Sequence, residues 1–224
     1  RSSDLPLLPE AVRTRSALTC GADLVFALPA PCACAGAEAF ARAGVALLAA
    51  AGCDGLVFGA ETPDAALLME AAELLDSGSY RAALKAQLAG GARSFAAARQ
   101  AAAAQLASDE RVAALLDKPN NNLAVEYCRA IRSLAPRMEA YPLPRQGANH
   151  GEALHSAHGQ FASASALRKL WAEGGADAIA PYVPEAVFPL YQEAYAAGQY
   201  TDFSAAGRCE LALLRSACRG KAPF

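Results

Sequence analysis

Two of the predicted strands are followed by residues that suit a flat or anionic ligand. In an open α/β sheet, ligands bind beyond the carboxyl ends of the strands. Gly59 follows the strand predicted at residues 55–58, and a glycine there lets the backbone approach a flat ligand such as a purine. Arg145 and Gln146 follow the strand predicted at residues 138–143. The forked guanidinium of an arginine suits a phosphate or carboxylate. If no ligand binds at these positions, Gly59 forms a simple turn and Arg145 forms a surface ion pair.

The segment KPNNNLAVEY, residues 118–127, places three asparagines between a proline and a helical pattern. A helix cap needs only one side-chain acceptor, so two amides are left over. We interpret Asn120 and Asn121 as the rim of a ligand pocket and Asn122 as the residue that starts the helix. The Asn121→Ala substitution is then expected to weaken ligand binding and to leave the fold largely intact.

The segment SASALR, residues 163–168, combines two hydroxyl groups with an arginine at the start of a predicted helix. Free N–H groups and the helix dipole attract phosphate to such a position. Ser163 and Ser165 could add donors, and Arg168 could add positive charge. The alternative is plain capping by one of the serines, with Arg168 in solvent.

His150, His155 and His158 lie in one polar segment that is predicted to be a loop. Histidines so close together could bind a metal, but only Glu152 is at hand to complete a ligand set. An exposed loop is therefore the favoured interpretation, and we predict no metal site. The sequence also contains no Walker loop, no GxGxxG segment and no nucleophile elbow.

Alternating strands and helices are expected to position these residues. The short apolar runs 23–28 and 55–58 are typical of buried parallel strands, and the helical segment 37–51 between them completes a βαβ unit. A third strand is predicted at 138–143, with Pro142 near its end. The sequence therefore predicts an α/β fold with a parallel sheet, a helical insertion and a helical C-terminal tail.

The middle of the chain is expected to be helical, with Thr62 before Pro63 as an N-cap. We divide the chain into an α/β domain over residues 1–170 and a helical extension over residues 171–224. The predicted helices of the middle segment are 63–76, 79–89, 94–107, 109–117 and 122–134.

Composition excludes several classes of protein. Of the 224 residues, 54% are hydrophobic and 19% charged, which indicates a globular rather than a disordered chain. A formal net charge of −2 argues against a nucleic-acid binder that is basic all over its surface. The seven cysteines mostly lie in apolar runs, which favours small buried side chains in a reduced, cytoplasmic protein. Polar residues interrupt every apolar run, so no membrane-spanning segment is expected.

Several of these segments occur, in the same order, in one known family. The chain resembles the bacterial tRNA(Met) cytidine acetate ligases over roughly residues 1–200. The resemblance implies a Rossmann-like nucleotidyltransferase core that activates acetate with ATP, accompanied by Mg²⁺. The acetyl group then passes to N4 of the wobble cytidine of elongator tRNA(Met). The matching segments are GADLVFALP at 21–29, AEAFARAGVALLAAAGCDGLVFGAE at 37–61, PNNNLAVEY at 119–127, RQGA at 145–148 and SASALR at 163–168.

The resemblance also implies roles for individual residues. In the family, the positions that match the residues named below bind either the nucleotide or its phosphates. Arg1 matches an arginine of the family's QRG segment. The ATP-binding positions are Gly59, Asn120, Asn121, Arg145 and Gln146. The phosphate-binding positions are Ser163, Ser165 and Arg168.

The family's histidine motif, which stabilises charge on the reacting phosphate, does not occur in this sequence. The catalytic residues are therefore not assigned, and we expect a strand and that motif upstream of Arg1. A second departure is Asn122, where the family usually has an apolar residue. Two alternatives stay open at this point: an adenylyltransferase of another small metabolite, and a non-catalytic nucleotide- or RNA-binding module.

Overall fold

The structure is a computed structural model that describes residues 6–145, 162–202, 208–209, 211–213 and 216. Its residues form two compact units, 27–145 on the one hand and 1–26 with 146–224 on the other. The predicted domain boundary between residues 170 and 171 lies within one continuous helix, Ala164–Gly174. The division into a nucleotidyltransferase domain and a helical extension stays a prediction.

The unit of residues 27–145 contains a parallel pair of strands and a large helical insertion. Several of its helices start at side-chain caps: Ser77 Oγ accepts the N–H of Tyr80 at 3.1 Å, and Ser94 Oγ accepts that of Ala97 at 3.1 Å. The helices are α2 (Ala30–Ala33), α3 (Ala37–Ala50), α4 (Ala65–Asp76), α5 (Gly78–Ala89), α6 (Phe95–Leu106), α7 (Glu110–Leu115) and α8 (Pro119–Leu134).

The predicted N-cap at Thr62 is wrong. Helix α4 is capped by Asp64, whose Oδ1 accepts the N–H of Leu67 at 3.0 Å. The hydroxyl of Thr62 instead accepts a hydrogen bond from Asn121 Nδ2 at 3.2 Å. The cap moves because a long-range partner, which the local pattern does not show, engages Thr62.

The sheet consists, within the described residues, of β1 (Gly55–Ala60) and β2 (Glu139–Pro144). The strands are parallel, and their register runs from Gly55 opposite Glu139 to Ala60 opposite Pro144. The parallel α/β arrangement that the sequence predicts is confirmed. Strand β2 extends past Pro142, because a strand paired on one side needs only half of its N–H groups for the ladder.

The core of this unit forms where α8 packs against α3 and α4 and supports the inner face of β1. Leu56, Phe58 and Ala60 of β1 point inward, whereas Val57 is 61% exposed. Alanines at α3 and α4 let the helices approach closely, and this explains why so alanine-rich a chain can bury a core. The largest fully buried apolar side chains of the core are Leu68, Leu115, Ile131, Val45, Val112 and Val125.

The predicted strand at residues 23–28 is wrong. These residues form no strand, and Leu24 is 70%, Val25 42% and Phe26 46% exposed. An apolar run becomes a strand only when a neighbour pairs with its backbone, and neither β1 nor β2 does so. The sequence pattern therefore identified an apolar segment correctly but assigned it a burial that the described residues do not provide.

The second unit contains α1 (Glu10–Thr19), α9 (Ala164–Gly174), two 3₁₀ segments (Ala176–Tyr182 and Glu185–Val187) and α10 (Phe188–Ala196). Its core is built around Trp171, whose ring contacts those of Tyr195 and Tyr200 edge-on at 5.4 and 5.6 Å. Gly175 has φ +70°, and a Cβ there would lie 2.7 Å from Tyr195 Cζ. Only glycine fits at this turn.

The prediction of buried cysteines holds for Cys128, whose burial raises the pKa of its thiol to about 12. It is wrong for Cys20, Cys34, Cys53 and Cys209, which are exposed. Cys20, Cys34 and Cys53 follow helices or lie in turns. The apolar residues beside them in sequence therefore do not pack on one common face. Among the described residues, no helix combines the length and the apolar character that crossing a membrane requires.

Candidate functional site

The carboxyl ends of β1 and β2 lie side by side. The N–H of Arg145 donates to the carbonyl of Ala60 at 3.1 Å, so Arg145 continues the pairing just beyond β2. A Cβ added at Gly59 would lie 3.4 Å from Arg145 Cγ, which makes these two exposed residues direct neighbours. The structure thus brings together two of the residues that the sequence singled out.

Glu61, which directly follows β1, caps helix α8 from a distance. Lys118 precedes that helix and offers no side-chain cap. Glu61 Oε1 accepts the N–H of Asn120 at 3.2 Å, and Oε2 accepts that of Asn121 at 2.7 Å. A carboxylate here satisfies free N–H groups and interacts favourably with the helix dipole. It ties the end of β1 to the beginning of α8.

Asn120 links Glu61 to Arg145. Its Nδ2 donates to Glu61 Oε1 at 2.6 Å, and its Oδ1 accepts from Arg145 Nη1 at 2.9 Å. A guanidinium carries five N–H donors, so Arg145 keeps most of them for an anion while Asn120 fixes its direction. The arrangement is suited to holding a phosphate or carboxylate beside Gly59.

Asn121 is buried, with 1% of its surface exposed. Its Oδ1 accepts the N–H of Thr62 at 2.9 Å, and its Nδ2 donates to Thr62 Oγ1 at 3.2 Å. Both polar groups of the side chain are therefore bound to the segment that follows β1. The predicted contact between Asn121 and a ligand stays a prediction, and the structure adds a structural role that the sequence did not indicate.

Replacing Asn121 with alanine is expected to lower the free energy of unfolding by about 1–3 kcal/mol, because the partly buried N–H of Thr62 loses its acceptor. Urea unfolding measures this loss. Asn122→Ala is the matched control, since the Asn122 amide reaches only the carbonyls of Leu116 and Lys118 at the helix start. Unchanged stability in Asn121→Ala, together with weaker ligand binding, would show that Asn121 binds the ligand and does not stabilise the fold.

Opposing effects act on the pKa of the Glu61 carboxyl. Partial burial raises that pKa, whereas hydrogen bonds from the Asn120 side chain and from the N–H groups of Asn120 and Asn121 lower it. The net result is a pKa below the ordinary value of 4.5. Glu61 is therefore ionised at neutral pH, and its negative charge repels a phosphate from the amino end of α8.

The Glu61→Gln substitution is expected to cost about 1 kcal/mol of stability at neutral pH, as for loss of a helix cap. Because the folded-state pKa is lowered, the contribution of Glu61 is present above the unfolded pKa and is lost as pH falls through the folded one. Urea unfolding at several pH values should show the difference from wild type shrinking below about pH 4.5. The control is Glu110→Gln, an exposed acid in the first turn of α7; an equal pH dependence there would contradict the assignment.

The expectation that Asn122 starts helix α8 is wrong. The helix begins at Pro119, and the asparagines occupy its first turn. Proline is favoured at the first helical position because its missing N–H would have no helical partner. The helix can start this early because Glu61 supplies the cap that the local sequence lacks.

The serine-rich segment, residues 163–168, lies in the other unit. Ser163 caps α9, with its Oγ accepting the N–H of Ala166 at 3.2 Å and lying 3.1 Å from Ser165 Oγ. Arg168 is half-buried in the same helix. The capping role is confirmed, and phosphate binding stays a prediction. Gln146 and the three histidines, His150, His155 and His158, lie outside the described residues.

Sequence reasoning missed Glu61 as a member of the site. A signal was available: α8 has no Ser, Thr, Asp or Asn immediately before Pro119, so its N–H groups require a distant acceptor. A carboxylate directly after a strand, at the edge where Asn120 was expected, meets that need. The pattern identifies the requirement, although it does not identify the partner.

Comparison with known proteins places this arrangement in a family. The family model described as HIGH Nucleotidyl Transferase matches residues 5–217. The chain belongs to this family. Gly59, Asn120 and Arg145 lie at the carboxyl edge of its parallel strands, the edge at which open α/β sheets bind ligands.

Two curated relatives of this HIGH nucleotidyl transferase carry the name tRNA(Met) cytidine acetate ligase. The protein of Syntrophotalea carbinolica is 40% identical over 170 residues, which cover 75% of this chain and 40% of the relative. That of Caldanaerobacter subterraneus subsp. tengcongensis is 34% identical over 190 residues, which cover 84% and 47%. The resemblance predicted from the motifs is confirmed, and the chain spans less than half the length of these relatives.

Solved structures agree with this assignment. A crystal structure of Thermotoga maritima TmcAL bound with alpha-thio ATP superposes with a TM-score of 0.76 at 27% identity, covering 89% of this chain and 47% of that one. The apo form superposes with a TM-score of 0.79 at 28% identity, covering 89% and 48%. The predicted Rossmann-like α/β nucleotidyltransferase fold is thereby confirmed.

Proposed function

We propose that the protein activates acetate with ATP and acetylates N4 of the wobble cytidine of elongator tRNA(Met). The observation that carries the proposal is Arg145, which lies beside Gly59 at the carboxyl edge of two parallel strands and is bonded to Asn120, itself bonded to Glu61. The names of the curated relatives and the ATP analogue bound to the Thermotoga maritima protein support the choice of substrates.

The reaction has two steps. An oxygen of acetate attacks the α-phosphorus of ATP, the bond to the bridging oxygen breaks, and pyrophosphate leaves. The N4 amine then attacks the acetyl carbonyl carbon, AMP leaves, and the amine loses a proton to solvent. Neither step needs a covalent nucleophile on the protein, so positioning and charge stabilisation supply the rate.

Each residue has a defined role in this proposal. Arg145 binds phosphate oxygens, and the missing side chain at Gly59 lets the nucleotide approach β1. Asn120 orients Arg145, while Glu61 keeps the phosphates away from the amino end of α8. Direct ATP contacts of Asn121 and Gln146, and phosphate contacts of Ser163, Ser165 and Arg168, complete the proposed set.

Mg²⁺ is expected to accompany ATP. This ion is usually held by one or two carboxylates together with substrate phosphates and water. Among the described residues, no group of three or more His, Cys, Asp or Glu side chains is placed to hold a metal ion. We propose that Mg²⁺ binds together with the ATP phosphates, which usually supply part of its ligands.

Exchange of radiolabelled pyrophosphate into ATP tests the activation step without any RNA. Full-length protein is expected to catalyse exchange that depends on acetate. Exchange that depends on a different small metabolite would contradict the proposal in favour of an adenylyltransferase. Folded protein that binds ATP and catalyses no exchange would contradict enzymatic activation altogether.

A further inference from the structure

A second cleft, separate from the nucleotide-binding edge, lies among the helices of the 27–145 unit. Its volume is about 590 Å³, and its walls come from α3, α5, α6 and α8, with the end of α4. Four arginines and three carboxylates line it. The proposed acetate activation uses none of these residues.

The floor of the cleft is a buried ion network. Glu126 has only 4% of its side chain exposed; its Oε1 pairs with Arg99 Nη2 at 2.5 Å and its Oε2 with Arg129 Nη1 at 2.7 Å. Arg129 Nε also pairs with Asp76 Oδ1 at 2.8 Å. Each guanidinium has five N–H donors, and these bonds engage a minority of them. The arginines therefore offer further donors where their 18% and 24% exposed surfaces meet the cleft.

The rim of the cleft adds a cation and an aromatic ring. Arg81 is exposed on α5 and makes no ion pair with another described residue. Phe95, at the beginning of α6, is 61% exposed although it is a large apolar side chain. An exposed ring beside arginines is the arrangement with which proteins bind unpaired nucleotides, by stacking a base and pairing its phosphate.

We propose that this cleft binds a single-stranded segment of the RNA substrate, with Phe95 stacking a base and Arg81, Arg99 and Arg129 facing the phosphates. The inference rests on the proposed function, which supplies an RNA whose target base lies in an unpaired loop. Two of the three carboxylates, Glu126 and Asp76, do not oppose it, since Arg99 and Arg129 neutralise them. Glu38 lies at the rim with 65% of its side chain exposed.

Fluorescence anisotropy with a labelled anticodon stem-loop RNA tests the proposal on full-length protein. Phe95→Ala is expected to weaken binding about 10-fold through lost stacking. Arg81→Ala is expected to weaken it roughly 3- to 10-fold and to reduce the slope of log affinity against log salt by about 0.7. The controls are Leu88→Ala and Arg111→Ala, exposed side chains of matching type outside the cleft, which should bind RNA like wild type.

Wild-type affinity in both Phe95→Ala and Arg81→Ala would overturn the proposal. A loss in Arg81→Ala alone would also overturn it, in favour of an anionic partner that is not stacked, such as an acidic protein. Acetate-dependent pyrophosphate exchange is measured on the same samples without RNA. Absence of exchange would contradict the proposed function but not RNA binding in the cleft, because exchange and RNA binding are measured independently.

Discussion

The Glu126→Gln substitution is expected to lower the free energy of unfolding by about 3–5 kcal/mol. Removing the negative charge leaves Arg99 and Arg129 facing each other around an uncharged amide in a largely buried position. Taking one partner out of a buried ion pair is costly because the remaining charge keeps its desolvation penalty. Urea unfolding monitored by circular dichroism measures the effect.

A control within the same ion network makes this result specific. Glu38 approaches Arg129 Nη1 only at 3.9 Å, and its side chain is 65% exposed. Solvent-exposed ion pairs contribute little, so Glu38→Gln is expected to change stability by about 0.5 kcal/mol or less. Equal effects of the two substitutions would show that burial of Glu126 does not determine the stability of the network.

The Arg145→Ala substitution is expected to weaken ATP binding about 10- to 100-fold, the equivalent of one strong charge-assisted hydrogen bond. Stability should change little, because the Arg145 side chain is exposed and its bond to Asn120 lies at the surface. Isothermal titration with ATP measures the affinity. Arg145→Lys should fall between wild type and alanine, since lysine keeps the charge and loses the fork.

Arg137 provides the matched control for Arg145. It is exposed just before β2, at the opposite end of the strand from Arg145. Loss of ATP affinity in Arg145→Ala but not in Arg137→Ala would assign the effect to the carboxyl edge of the sheet. Equal losses of ATP affinity in both variants would show that the effect comes from the change in net charge and not from the position of Arg145.

The local parts of the fold could be predicted from sequence. The apolar run at 55–58 is part of β1, and the helical segment at 37–51 is α3, with Gly52 in a left-handed turn directly after its cap. Such features depend on neighbouring residues alone. The order of strands and helices predicted a parallel sheet, but it did not predict that β1 pairs with β2.

The long-range parts could not be predicted in the same way. Glu61 meets Asn120 and Asn121 across about 60 positions of sequence, and Arg99 meets Glu126 across 27. Periodicity indicates which face of a helix is apolar, but it does not indicate which distant charge neutralises a buried carboxylate. The same limitation explains the error at residues 23–28, where burial depends on a neighbouring strand.

Helix α8 contributes to both proposed binding sites. Asn120, at its beginning, lies at the nucleotide-binding edge, and Arg129 lies nine residues further on, in the arginine-lined cleft. At 1.5 Å per residue the two positions are about 14 Å apart, and no proline or glycine interrupts the helix between them. A free nucleoside bound in the cleft is too short to reach an activated acetyl group at that edge, whereas a loop of several nucleotides can span the distance. The protein would thus select its substrate by length as well as by base.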